Sequence, residues 1–205
     1  MALLNASQKQ QVSAAIARVE QRTAGELVVV TAARADAYVA VRALCALPLT
    51  ILLTGELFLR LHDISPWIFF AAQIPVGLGL YGLFGWGPLL RLLVPKRLVD
   101  AAVDACAKQA FVEFGVTETR DRSGVLILLC EAEHRVQLLA DRGINERVAA
   151  GEWQKDVNEL TRAIREGRAA EGLLTIVEAI GGLLAANFAQ SPNDTNELGD
   201  AVREI

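Results

Sequence analysis

The chain has 205 residues, 53% of them hydrophobic, a net charge of −4 and a mean hydropathy of +0.33. The acidic balance, with no basic stripe or aromatic platform, argues against a nucleic-acid partner. The hydropathy is high for a soluble domain of this length, so particular segments must account for the excess.

Residues 6–22 predict an amphipathic helix, with Val12, Ile16 and Val19 at helical spacing and Asn5 or Ser7 able to cap its start. Thr23-Ala24-Gly25 ends it, with Gly25 expected as a left-handed cap. These opening residues are polar, so no secretory signal is expected. Residues 26–32 (ELVVVTA) form a short β-branched run and predict a buried strand.

Two almost wholly apolar runs follow, 43–61 and 67–90, separated only by His62, Asp63, Ile64, Ser65 and Pro66. Each is about 20 residues, long enough to cross about 30 Å of hydrocarbon as a helix. The short turn makes them antiparallel neighbours, and residues 41–93 predict a transmembrane hairpin. Lys9, Arg18, Arg22, Arg34 and Arg42 precede it, and Arg91, Lys96, Arg97 and Lys108 follow it, whereas only Arg60 lies near the turn. That asymmetry places both termini in the cytoplasm, with the hairpin in the cytoplasmic membrane.

Glu56 falls within the first span. An interhelical hydrogen bond to Gln73 or an ion pair with Arg60 would make it structural glue, and a proton or ion pathway is the functional alternative. Gly77-x-Gly79-x-x-Gly82 matches a dinucleotide fingerprint only literally, because no strand precedes it. Gly79 and Gly82 are expected to permit close helix packing instead.

Beyond Pro95, residues 96–114 predict a helix, 124–130 (GVLILLC) a strand buried on both faces, and 135–140 its antiparallel return through a polar turn. Residues 145–166 and 169–188 predict two more helices, and 191–205 a polar tail. Strands 26–32 and 124–130 can pair only across the inserted hairpin. The fold class is therefore α/β, a small mixed-sheet sandwich with an inserted two-helix hairpin. The domain is discontinuous, 1–36 with 95–190. Cys45, Cys106 and Cys130 are far apart in sequence and include no Cys-x-x-Cys pair, so they read as buried free thiols in a reducing compartment.

Four segments carry a family resemblance: Thr23-Ala24-Gly25-Glu26-Leu27-Val28-Val29-Val30, Arg122-Ser123-Gly124-Val125-Leu126-Ile127, Arg135-Val136 through Ala140-Asp141-Arg142-Gly143-Ile144, and Asn196-Glu197-Leu198-Gly199-Asp200. In order and spacing they resemble the TPM domain family, in particular its bacterial membrane-protein branch. The resemblance implies a TPM-like fold. It also implies two activities known among relatives: acid phosphatase in thylakoid members, and binding of divalent cations such as calcium in others. Many members carry Asp-Asn-Gly where this chain has Arg122-Ser123-Gly124, with Asp121 one residue earlier.

Asp121, Asp141 and Glu146 are the carboxylates best placed to hold a Ca²⁺ or Mg²⁺ ion near the strand ends. Their alternative is ordinary loop and cap duty. Arg142 and Arg147 could favour an anion instead. Glu131, Glu133 and His134 occupy a polar turn, and neither histidine has the neighbours of a Ser-His-Asp or Cys-His site. With no assembled catalytic set, the leading expectation is a binding or scaffolding module that recruits a membrane or membrane-associated protein. A divalent-metal-assisted phosphatase is second, and a subunit of a larger membrane complex third.

Overall fold

In the computed structural model the described residues are 3–61, 65–149, 151–190 and 196–205. The predicted turn residues His62, Asp63 and Ile64, and the first part of the polar tail, 191–195, lie outside them. The chain divides into two compact units, Met1–Ala35 with Asp100–Ile205, and Asp36–Val99.

The first unit is built on a four-stranded sheet. Its strands are β1 (Glu26–Ala32), β2 (Gly124–Cys130), β3 (Arg135–Ala140) and β4 (Arg203–Glu204), in the order β3-β2-β1-β4. β1 runs parallel to both β2 and β4, and β3 runs antiparallel to β2. Every residue of β1 and β2 is buried, which is why both read as continuous apolar runs rather than alternating ones. The end of the polar tail is thus part of the sheet: β4 pairs with Val30 and Thr31, and Lys9 of the first helix holds Glu204 in an ion pair.

One sheet face presents Leu27, Val29, Val125, Ile127 and Leu129 to three helices, α1 (Ala6–Glu20), α7 (Gln154–Arg165) and α8 (Ala169–Asn187). Val12, Ile16 and Val19 of α1 meet Leu173, Ile176, Val177, Ile180 and Leu184 of α8 in that core. Each fully buried Leu or Ile contributes about 1.5–3 kcal/mol. Asn5 caps α1 in a reciprocal pair with Gln8, at 2.8 and 2.9 Å. The other face carries Val28, Val30, Leu126, Leu128 and Cys130. On that side lies α5 (Lys96–Glu113), whose Cys106 thiol contacts Cys130 and whose Asp100 pairs with Arg135 at 3.4 Å.

Two expectations change here. The segment 145–166 is not one helix. Asp141 caps a short α6 (Arg142–Asn145), and Gly151, at φ +103°, separates it from α7. Gly25 is not a left-handed cap either. α1 ends at Gln21 in a right-handed conformation, and Gly25 lies against Leu184, which an added Cβ would meet at 3.0 Å.

The second unit is helical, with α2 (Val39–Arg60), α3 (Pro66–Leu83) and α4 (Gly87–Leu93). The predicted second span is divided, because Gly85, Gly87 and Pro88 break it after Phe84. α2 turns a stripe of small buried residues, Ala46, Thr50 and Thr54, toward α3. Thr50 donates to the Ala46 carbonyl (2.7 Å) and Thr54 to the Thr50 carbonyl (2.8 Å), so neither hydroxyl is left bare in apolar surroundings. The α3 glycine that meets this stripe is Gly77, opposite Thr50. Gly79 and Gly82, expected to pack, face open space. Phe58 and Phe69 close one end at 5.3 Å. At the other end, Arg42 donates to the Tyr81 carbonyl (3.0 Å) and stacks 3.9 Å over the Tyr81 ring. Glu56 does not bond to Gln73. It pairs with Arg60, one turn on, at 2.6 Å.

Candidate functional site

Parallel pairing places the starts of β1 and β2 at one end of the sheet, where antiparallel β3 finishes; β4 begins farther along, opposite Val30, and the segment leading to it passes this end at Glu197. The Thr23-Ala24-Gly25 turn is pinned at this end. The Thr23 hydroxyl donates to the Phe188 carbonyl (2.7 Å) and accepts from the Gly25 amide (3.1 Å), while Ser123 donates to the Ala24 carbonyl (3.0 Å). Beside the turn is a cavity of about 220 Å³, lined by Glu20, Gln21, Thr23, Glu26, Asn196 and Asp200 among others.

Its carboxylates are tightly engaged. Glu20 accepts the Leu27 amide at 3.0 Å through one oxygen and Asn196 Nδ2 at 3.0 Å through the other. Asn196 also bonds to Asp200. Glu26, almost fully buried, accepts the Glu197 amide at 3.1 Å. Burial first, then the hydrogen bond with Asp200 and the charges of Glu26 and Asp200, push the Glu20 carboxyl up to about 9; only the Leu27 amide opposes them. Glu20 is therefore protonated near neutral pH.

The acids singled out from sequence behave otherwise. Asp141 is buried, caps α6 through the Arg142 amide (2.7 Å) and faces Arg122 Nε at 3.2 Å. Glu146 pairs with Arg142 on the surface at 2.8 Å. Asp121 is exposed, with its carbonyl against Gly143. Arginines thus supply the counter-charge at two of these three positions. Among the described residues no three His, Cys, Asp or Glu side chains gather as a metal-holding group. Arg147 donates to the Asn187 carbonyl (2.8 Å) and stacks 4.4 Å over Phe188, closing the end of α8 rather than receiving an anion. Glu131 and Glu133 accept the Leu3 and Ala35 amides, at 2.8 and 3.1 Å.

Sequence reasoning missed Glu20, Glu26 and Asp200 as a group. The signal was partial: Glu26 lies within one of the segments that carry the resemblance, and Asp200 closes another.

The family model of the TPM domain matches residues 90–183. Residues 90–183 are therefore similar to a TPM domain. The fold of the chain is similar to the NMR structure of BA42 protein from the psychrophilic bacterium Bizionia argentinensis, with a TM-score of 0.62 and 18% identity over 98% of this chain and 95% of that one. At that identity the likeness establishes the mixed α/β fold alone. No curated protein matches significantly. The acidic pocket joins residues on both sides of the matched segment, since Glu20, Glu26 and Asp200 all lie outside it.

Proposed function

We propose that this protein is a membrane-anchored binding or scaffolding module, with the TPM domain working at the cytoplasmic surface of the bacterial inner membrane. One observation carries the reading: α2 and α3 turn their large apolar side chains outward. Leu44, Leu47, Leu52, Leu59, Trp67, Ile74 and Leu78 are all exposed. Among the described residues, three helices are long and apolar enough to cross a membrane. Of these, α8 spends its apolar face in the core of the TPM domain, whereas α2 and α3 have only each other's narrow stripe. Exposed apolar surface on that scale fits hydrocarbon. The Lys and Arg residues flanking the pair support cytoplasmic termini. The TPM domain is joined to the hairpin at two points of the chain, which favours a partner at the membrane surface.

The test is membrane flotation of the full chain after an alkaline carbonate wash, with labelling of Ser65→Cys from either side to fix topology. Recovery in the soluble fraction overturns the anchor. The second reading, a divalent-metal-assisted phosphatase, is drawn from the family resemblance alone. Hydrolysis of a generic phosphomonoester that requires added Mg²⁺ or Ca²⁺ would replace the binding reading.

A further inference from the structure

β3 is an edge of the sheet, and the phase of its pairing is defined. The Asp141 amide donates to the Gly124 carbonyl at 2.9 Å, so Arg135, Gln137 and Leu139 turn their backbone groups toward β2. Val136, Leu138 and Ala140 turn theirs away. The Ala140 carbonyl is taken by Asn145 Nδ2 at 2.7 Å. The outward N–H and C=O groups of Val136 and Leu138 have no partner among the described residues. Such an edge is a template for another strand.

A groove of about 540 Å³ straddles this edge. On one face of the sheet it is bounded by Arg135, held to Asp100 of α5. On the other it is bounded by the polar side of α7, which carries Asn158, Arg162 and Arg165. Val136 lies between them. Neither Arg162 nor Arg165 has an acidic partner among the described residues, and Asp100 is the only carboxylate lining the groove. In a chain of net charge −4, this is a surface of opposite sign to the whole.

We propose that the groove receives an extended acidic peptide segment of a partner protein, which adds to the sheet as a strand beside β3. The proposal rests on the binding-module reading and specifies the chemistry of its partner. Main-chain hydrogen bonds to Val136 and Leu138 fix the register. Alternate side chains of an added strand point to opposite faces. Acidic residues at one parity meet Arg162 and Arg165, and those at the other meet Arg135. Planar guanidinium groups suit carboxylates, which they bind in bidentate fashion.

The test uses the full chain in nanodiscs and fluorescence anisotropy of a labelled (Glu-Val)4 peptide, with (Lys-Val)4 as control. The expected result is saturable binding of the acidic peptide alone, weakened at least about tenfold by Arg162→Glu with Arg165→Glu. Leu138→Pro removes an outward amide while sparing the bonds to β2, and it is expected to weaken binding with circular dichroism unchanged. A (Glu-Val)4 peptide N-methylated at alternate residues keeps its charge but cannot complete the strand, and it is expected to bind poorly. Equal binding of the methylated peptide or of inorganic polyphosphate would overturn strand addition in favour of a simple anion site. No binding of (Glu-Val)4 by a chain that floats with membranes would overturn this inference and leave the anchor standing.

Discussion

Asn196 ties Glu20, at the end of α1, to Asp200, in the segment leading to β4: its Nδ2 donates to Glu20 at 3.0 Å and also bonds to Asp200. Two carboxyls on one amide oppose joint ionisation, so a neutral Glu20 helps to hold the C-terminal segment against α1.

The first prediction follows from its sign. Glu20 is raised from 4.5 to about 9 in the folded protein, so the folded state holds a proton that the unfolded state releases. The stabilisation is fully present below pH 4.5 and is lost as pH rises through about 9. The melting temperature is expected to fall between neutral pH and pH 9, and Glu20→Gln to flatten that slope. An unchanged slope in the variant would refute the assignment.

A second prediction concerns Gly143. A Cβ there would meet the Asp121 carbonyl at 2.5 Å and the Arg122 carbonyl at 2.8 Å. Those atoms cannot retreat easily, because the Arg122 carbonyl also accepts the Gly143 amide at 3.1 Å. Gly143→Ala is expected to cost about 1–3 kcal/mol in urea unfolding, as overpacking does.

The hairpin makes a third. Gly79→Leu and Gly82→Leu add side chains into open space and are expected to be neutral within about 0.5 kcal/mol. Thr50→Leu thickens the buried stripe opposite Gly77 and is expected to separate the helices. Titration with SDS from mild-detergent micelles, read by the distance between labels on α2 and α3, ranks the three.

The thiols make a fourth. Burial, then the nearby Glu133 charge, pushes the Cys106 and Cys130 thiols up, so both are poor nucleophiles. Cys130 is expected to resist maleimide until the protein unfolds. Glu133→Gln is expected to speed labelling of half-exposed Cys106. Rapid native labelling of Cys130 would show that β2 opens readily.

How far the fold was legible depended on where each residue's partners lie. β1 and β2 matched their sequence limits because both faces of each strand are apolar, so the run itself marks the element. The predicted helix 145–166 overran the end of α6 and all of α7, because the separating signal, Gly151, sits inside an otherwise helix-compatible stretch. β4 was invisible: Arg203 and Glu204 are polar, and they form a strand only because β1 offers a free edge and Lys9 a counter-charge. The acidic pocket escaped for the same reason, since β4 is what returns Asp200 to Glu20. Asp141 was legible as an acid near the strand ends, but its pairing was not, because no local pattern shows that Arg122 faces it.

The register of β1 against β2 also bears on how the chain is made. Leu27 pairs with Val125, and the whole of the second unit lies between them. During synthesis β1 therefore leaves the ribosome long before its principal neighbour exists. Seven residues that end up wholly buried, Glu26–Ala32, must wait unpaired while the apolar helices emerge. A nascent chain stalled in that interval exposes a β-branched segment open to wrong pairing, and this is the stage at which a chaperone has most to protect.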